Sequence, residues 1–153
     1  MPQTATKPDN IHATAILIGE RGLLIVGPSG SGKTTLALAL MDHCRARGLF
    51  CALIGDDQLF VAGHGGRLLC RAPAAIAGLA EVYGIGPRPL PSEPAGVIDL
   101  VARLVPPQEM ARLQEEAADT IAGCVVPRID VVRQNIAMAL PAVTARLSIA
   151  PFL

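Results

Sequence analysis

One short stretch of the chain carries its clearest chemical signal. Gly27, Gly32, Lys33 and Thr34 fit the pattern G-x-x-x-x-G-K-[ST], which binds nucleotide phosphates when it lies between a strand and a helix. Because glycines carry no side chain, successive backbone N–H groups can surround phosphate oxygens. Lys33 would place a positive charge against the outer phosphates, and the Thr34 hydroxyl would be a ligand for Mg2+. The predicted nucleotide-binding residues are Gly27, Pro28, Ser29, Gly30, Ser31, Gly32, Lys33, Thr34 and Thr35.

Two adjacent carboxylates, Asp56 and Asp57, directly follow the apolar run 50–54. In phosphate-loop enzymes an acidic residue at a strand end near the loop holds Mg2+. Two such residues could divide two tasks, one serving the metal and the other accepting a proton from an attacking hydroxyl. A general base of this kind contributes about 10²–10⁴ in rate. The alternative is a turn stabilised by Asp side chains, but the upstream phosphate loop favours the functional interpretation.

Other polar residues are weaker candidates for the site. His12 is on the strand expected beside the phosphate-loop strand and could lie near the transferred phosphate, although a lone histidine is more often structural. Four arginines could bind phosphate or an acidic partner, although each alone is more typical of a surface charge. They are Arg71, Arg88, Arg128 and Arg133. Arg128, which follows Pro127, is the first of these to test.

The surrounding patterns predict the elements that position these residues. Strands at 11–18 and 23–26 form an antiparallel hairpin leading into the loop, and a helix follows from Lys33 to about Arg47, where Gly48 stops it. The middle of the chain is predicted to contain a strand at 50–54, a hairpin of 58–62 with 67–70, a short helix at 74–80 and an extended segment at 81–86. A proline-rich loop without regular hydrogen bonding follows at 87–94, and then a strand at 96–105. The last predicted elements are a helical turn or two within 108–122 and a long helix at 129–147 interrupted by Pro141.

Composition restricts the class of protein. The 153 residues are 51% hydrophobic and 17% charged, which predicts one packed domain at 11–153 behind a flexible N-terminal lead at 1–10. A net charge of +0 and an aromatic content of 3% argue against a nucleic-acid binder. The scattered cysteines contain no C-x-x-C pair, so we expect buried thiols rather than a zinc site. Without a signal peptide or a long apolar run, the sequence predicts a cytoplasmic protein that does not bind membranes.

The ordered set of motifs resembles the catalytic domain of HPr kinase/phosphorylase. In that family an H, a G-x-S-G-x-G-K-S loop, an A-D-D, an R-A-P and an E-I-R-G-x-G segment occur in this order. The matching positions here, within residues 11 to 150, are His12, Gly27 to Thr34, Asp56-Asp57, Arg71 to Pro73 and Glu81 to Gly86. The resemblance implies an α/β fold: a phosphate-loop (P-loop) core similar to that of phosphoenolpyruvate carboxykinase, with a mixed sheet and flanking helices.

The resemblance also implies an activity. Members phosphorylate a serine of HPr, the phosphocarrier of the sugar phosphotransferase system, using ATP and Mg2+, and many also run the phosphorolytic reverse. Carried over, Lys33 would hold the β- and γ-phosphates, and Thr34 the Mg2+. Asp56 would be the catalytic base and Asp57 would assist the metal or substrate. His12 would lie beside the phosphate, and Glu81 and Gly84 near the protein substrate; we add Arg128 to that surface.

The chain departs from the family pattern at several positions. Thr35 stands where the family has an acidic residue, and Tyr83 stands where it has the signature arginine. The family's late R-P-G-R-N loop has only partial matches, at 127–128 and 133–135. The sequence resembles the short, single-domain form of the family, for which we expect a homo-oligomer, a hexamer in the family. Kinase activity is therefore the expectation, with phosphorolysis possible.

Two alternatives remain open from the sequence. The first is a small-molecule kinase of the nucleotide or shikimate type, although such enzymes usually begin with a parallel βαβ unit rather than a hairpin. The second is a nucleotide-binding regulator with little catalysis. The regulator would need Lys33 and Thr34 but would not depend on Asp56.

Overall fold

The computed structural model describes residues 8 to 152 and contains eleven strands and two α-helices in that range. In chain order they are β1 (Asp9–Ile11), β2 (Thr14–Ile18), β3 (Arg21–Val26), α1 (Lys33–Ala46), β4 (Cys51–Gly55), β5 (Leu59–His64), β6 (Arg67–Arg71), β7 (Leu79–Val82), β8 (Gly86–Pro89), β9 (Ala95–Val105), β10 (Ala117–Ile121), β11 (Cys124–Val132) and α2 (Ile136–Arg146). Short 3-10 turns occupy Ala74–Ile76 and Pro107–Glu109.

The strands of one mixed sheet are arranged around the long strand β9. The order along the main path is β1-β5-β6-β9-β3-β2-β4, with β7 and β8 forming a separate hairpin. The first residues of β9 pair antiparallel with β6, whereas residues 101–105 pair parallel with β11, which in turn pairs with β10. Strand β3 lies parallel on the other edge of β9 and antiparallel to β2. The predicted mixed sheet and the β2–β3 hairpin are confirmed.

Both faces of the central sheet are buried, so β3 is apolar at successive positions. Leu23 and Ile25 belong to the core cluster that includes buried residues of α1 and α2. Leu24 points to the opposite face, where it joins a second cluster with side chains from β5, β6 and β11. This arrangement explains the unbroken apolar run that ends at Val26, since a strand covered on both faces does not alternate apolar with polar residues. Packing on both faces makes β3 a rigid strand, and the phosphate loop begins at its end.

The predicted long helix at 129–147 is wrong over its first part. Residues 124–132 form β11, and α2 begins only at Ile136, where the Asn135 side chain accepts a hydrogen bond from the Met138 N–H as an N-cap. The β-branched run of β11 suits a strand. Helix α2 continues through Pro141.

Four further sequence predictions need correction. Within the proline-rich segment 87–94, residues 87–89 belong to β8; its prolines are tolerated because β8 has one strand neighbour, β7. Helix at 74–80 is limited to a 3-10 turn, with β7 already begun at Leu79. The segment 108–122 contains the end of one 3-10 turn and then β10. Of the predicted lead at 1–10, residues 1–7 lie outside the described range, and Asp9 and Asn10 form part of β1.

Candidate active site

The phosphate loop connects β3 to α1, as the motif requires. Strand β3 ends at Val26 and α1 begins at Lys33, so residues 27–32 form the connection. Gly30 and Gly32 have φ values of 79° and 99°, which side-chain-bearing residues rarely adopt. Gly32 is the N-cap of α1 and makes no side-chain cap bond. The first N–H groups of the helix therefore stay available to an anion, and the helix dipole favours negative charge there.

Lys33 folds back over this loop. Its Nζ donates hydrogen bonds to the Gly27 carbonyl at 2.9 Å and to the Pro28 carbonyl at 3.2 Å. The ammonium group is thus held at the loop, where its charge can act on a bound phosphate. Gly27 is also required by packing, because a Cβ there would lie 2.6 Å from Ser31 Oγ and 3.0 Å from Leu104 Cβ. Within the described residues, Ser31 Oγ is buried without a hydrogen-bond partner.

Asp56 is the buried polar centre of the site, with 4% of its surface exposed. Its Oδ1 accepts hydrogen bonds from Thr14 Oγ1 at 2.7 Å and from Thr34 Oγ1 at 2.9 Å. Its Oδ2 accepts a third from the Glu81 N–H at 2.8 Å. One carboxylate therefore joins β2, the first turn of α1 and β7 at the end of β4. The Thr34 hydroxyl and the Asp56 carboxylate together present the hard oxygen ligands that Mg2+ prefers.

Asp57 differs from its neighbour in both exposure and backbone. Its side chain is 72% exposed, and its φ of 69° lies in the left-handed region that Asp tolerates better than most residues. The His12 ring lies beside it, with Nδ1 3.9 Å from Asp57 Oδ1. The structure thus brings His12 and Asp57 together on the solvent side, while Asp56 points into the protein. Two adjacent carboxylates have separate surroundings, as the sequence suggested.

The β7–β8 hairpin extends from this site into solvent. The Glu81 N–H binds Asp56, and Ala80 is buried in the core, so the base of the hairpin is fixed. Gly84 lies at the turn with a φ of 81°. Tyr83 and Ile85 flank it and are 102% and 61% exposed. The hairpin therefore presents two large apolar side chains within four residues of the backbone group that binds Asp56.

Arg128 takes part in internal ion pairs rather than standing free. Its Nη1 donates to Asp119 Oδ1 at 2.5 Å, and its Nε lies 3.4 Å from Asp130 Oδ1. Asp130 also accepts two hydrogen bonds from Arg103, at 2.8 and 2.9 Å, and this pairing raises the pKa of Arg103. Arg103 is in register with Val26, directly before the phosphate loop. The network joins β9, β10 and β11 beside the loop, which favours a supporting role for Arg128.

The sequence did not assign roles to two residues that reach the site. Thr14 binds Asp56, and Gln134 binds the phosphate loop through its backbone N–H and its side-chain amide. Nothing in the local pattern marks Thr14. Gln134 lies within the partial match to the family's late loop, which was the one available signal. The remaining candidate arginines make other contacts: Arg71 stacks over Phe60 at 4.8 Å, Arg88 binds the Pro87 carbonyl, and the Arg133 N–H donates to the Val105 carbonyl.

The four cysteines are not among the residues that form this site. Cys44, Cys51, Cys70 and Cys124 are free thiols, and burial raises the pKa of Cys70 to about 12. Residues 8 to 152 contain no helix long and apolar enough to cross a membrane.

Comparisons with known proteins agree with the family resemblance. HPr kinase/phosphorylase from Mycoplasmopsis pulmonis is 34% identical over 84 residues, which is 55% of this chain and 25% of that protein. The enzyme of the same name from Mycoplasma mycoides subsp. mycoides is 36% identical over 75 residues, 49% of this chain and 22% of that protein. The solved structure of the HPr(Ser) kinase/phosphatase from Coxiella burnetii matches with a TM-score of 0.74 and 27% identity, covering 91% of this chain and 93% of that one. The chain resembles HPr kinase/phosphorylase in both sequence and fold.

Other results limit what this resemblance covers. The matched segments span about a quarter of the length of the curated HPr kinase/phosphorylases. An adenylyl-sulfate kinase from Phocaeicola vulgatus is also similar, at 29% identity over 99 residues, 63% of this chain and 47% of that protein. No protein-family model matches the chain. The mixed α/β fold predicted from the sequence is confirmed by the match to the HPr kinase structure.

Proposed function

We propose that the chain is an ATP- and Mg2+-dependent kinase that phosphorylates a serine of an HPr-like phosphocarrier. The observation that carries the proposal is the contact between Thr34 Oγ1 and Asp56 Oδ1 at 2.9 Å, because it joins the phosphate loop to a buried carboxylate at a strand end. Phosphoryl transfer needs this pairing of a phosphate cradle with metal-binding oxygens. The fold match to an HPr(Ser) kinase/phosphatase over 91% of the chain supports the protein substrate.

The residues of the loop would bind and orient the nucleotide. The N–H groups of Gly32 and of the first turn of α1 would surround the phosphates, and Lys33 would neutralise charge on the outer ones. Thr34 and Asp56 would hold Mg2+, which when bound neutralises charge developing on the transferred phosphoryl group. A single carboxylate is sufficient, since Mg2+ sites are commonly completed by substrate phosphates and water.

We propose roles for the two aspartates opposite to those that the family resemblance implied. Asp56 is buried, contacts Thr34 and is held in place by three hydrogen bonds, which suits a residue that binds Mg2+ together with Thr34. Asp57 is exposed beside His12, where a serine of a protein substrate can reach it. The serine Oγ forms a bond to the γ-phosphorus, its proton passes to Asp57, and the bond to the β–γ bridging oxygen breaks to release ADP.

The β7–β8 hairpin is the surface that we assign to the protein substrate. Its exposed Tyr83 and Ile85 could pack against an apolar patch beside the acceptor serine, because aromatic and aliphatic anchors contribute much of the affinity of protein interfaces. Glu81 and Gly84 position this hairpin. Arg128 would support the site through its ion pairs. We further propose a cytoplasmic location, a homo-oligomeric state and a possible reverse phosphorolysis.

A small-molecule kinase is the second candidate, and the similarity to an adenylyl-sulfate kinase over 63% of this chain is the observation that favours it. The two candidates use the same phosphate loop and differ in the acceptor. An exposed base beside a projecting hairpin suits a protein acceptor, whereas a small acceptor requires an enclosing pocket.

Incubation of the chain with γ-labelled ATP and Mg2+ and either HPr or adenylyl sulfate distinguishes these candidates. We expect the label on a serine of HPr, and at least about a hundredfold loss of transfer in Lys33→Ala, because the transition-state charge loses its main cation. Arg45→Ala is the matched control, since Arg45 is an exposed cation near the far end of α1. Labelling of adenylyl sulfate in place of HPr would support the second candidate. ATP binding without any transfer would favour the regulator.

A further inference from the structure

Gln134 connects the turn between β11 and α2 to the phosphate loop. Its backbone N–H donates to the Ser31 carbonyl at 3.0 Å, and its side-chain Nε2 donates to the Gly30 carbonyl at 2.5 Å. The residue has a φ of 52°, in the left-handed region that is unfavourable for a glutamine. A Cβ on Gly32 would lie 3.6 Å from the Gln134 nitrogen, an ordinary contact distance, so Gln134 packs beside this end of the loop.

These two bonds determine how two peptide groups of the loop are oriented. In a trans peptide the C=O and the following N–H point in opposite directions. Because the Ser31 carbonyl is held toward Gln134, the Gly32 N–H is directed away from it. Because the Gly30 carbonyl is also held toward Gln134, by its side-chain amide, the following Ser31 N–H points the other way. It donates to the Pro28 carbonyl at 3.1 Å.

A loop with glycines at Gly27, Gly30 and Gly32 has many accessible backbone conformations when nothing restrains it. Only those with N–H groups aimed at the phosphates bind a nucleotide. A residue that restricts the loop to such a conformation raises affinity without touching the ligand, because less ordering remains to be done on binding.

We propose that Gln134 is a positioning residue that preorganises the phosphate loop for nucleotide phosphates. The proposal rests on the proposed function in assuming that the loop binds ATP. It assigns Gln134 no contact with the reacting atoms, so its effect belongs to nucleotide affinity rather than to the chemical step.

Gln134→Gly tests the proposal because glycine accepts the positive φ and keeps the backbone N–H bond to Ser31 while removing the side-chain amide. We expect the Kd and KM for ATP to rise about two- to tenfold, because the apparent Kd rises in proportion as the fraction of loops in the binding conformation falls. The kcat should stay at the wild-type value. The denaturant midpoint without nucleotide should stay at the wild-type value or rise, because glycine adopts the positive φ at this position without strain. Gln134→Glu keeps the length but lacks the donor, so it should weaken ATP binding at least as much.

Gln114→Ala is the matched control, since the Gln114 amide also binds backbone, the N–H and carbonyl of Asp130, at 2.7 and 2.6 Å. It should lower the denaturant midpoint and leave the Kd for ATP unchanged. A Kd within about twofold of wild type in both Gln134 variants would overturn the positioning role alone. Absence of ATP binding by the wild type would instead overturn the proposed function together with it.

Discussion

Asp56 and Asp57 are adjacent in the chain, yet their surroundings differ, and for this reason we propose different tasks for them. A carboxylate that is buried and accepts hydrogen bonds from Thr14, Thr34 and Glu81 is held in a fixed position beside the Thr34 hydroxyl. An exposed carboxylate with one histidine 3.9 Å away can turn toward an incoming hydroxyl. The left-handed backbone of Asp57 separates the two side chains.

Asparagine substitutions at these two positions should therefore have different effects. Asp57→Asn should leave ATP affinity near wild type and lower kcat by about 10²–10⁴, the usual contribution of a general base. Asp56→Asn should weaken Mg2+-dependent ATP binding, since an anionic ligand is lost beside Thr34. Titration calorimetry with and without Mg2+, together with single-turnover transfer rates, measures both effects.

The reverse pattern would contradict this division of roles. If Asp56→Asn binds Mg2+ and ATP like the wild type but transfers no phosphate, Asp56 is the base, as the sequence first suggested. If both variants retain full transfer rates, neither aspartate acts as the base.

At the scale of elements, β9 sets the geometry of the site because β3 lies along one edge of it and β6 and β11 along the other. Gly22 permits the close approach of β3, since a Cβ there would lie 2.0 Å from the Val97 carbonyl oxygen. Its N–H donates to Asp99 Oδ2 at 2.9 Å. The start of the phosphate-loop strand therefore depends on one glycine.

Gly22→Ala should lower the free energy of unfolding by about 1–3 kcal/mol or more, because the added methyl group forces backbone to move. Glu20→Ala, an exposed change in the turn before β3, should stay within about 0.5 kcal/mol of wild type. Urea unfolding followed by circular dichroism measures both. Equal stability of Gly22→Ala and wild type would show that β3 and β9 are not paired as described.

The ion-pair network between β9, β10 and β11 should also contribute to stability. Asp130→Ala leaves Arg103 without its carboxylate partner and removes a second contact of Arg128, so we expect a loss of about 1–3 kcal/mol. Arg67→Ala is the comparison, because Arg67 and Asp99 form a more exposed pair at 3.9 Å, which should contribute at most about 1 kcal/mol. Chemical denaturation at low and high salt tests both; similar losses in the two variants would argue against a structural network.

Local sequence patterns predicted the elements whose boundaries are marked by glycine or by a change of periodicity. The β2–β3 hairpin, α1 and β9 were predicted in this way. Strand β11 was not, because the polar residues 133–135 rather than a glycine or a proline separate it from α2, and because one of its two partners, β9, lies far away in the chain. Strand β8 was missed because prolines argue against strands, although a strand with one neighbour tolerates them.

At the scale of the whole molecule, the site is assembled from distant parts of the chain. The phosphate loop and the aspartate pair could be predicted because each is a contiguous motif. Thr14 and Gln134 could not, since a lone threonine or glutamine acquires a role only through neighbours that folding supplies. Arg128 likewise acquires its ion pairs with Asp119 and Asp130 only in the folded chain.

The most direct test of the central claim is the mass of HPr after incubation with the chain, ATP and Mg2+, with the modified residue located by fragmentation. The account predicts one added phosphate on a serine of HPr, present with wild type and Arg45→Ala and lost with Lys33→Ala. Unmodified HPr in the presence of a chain that binds ATP, or a phosphate that appears equally with Lys33→Ala, would contradict it.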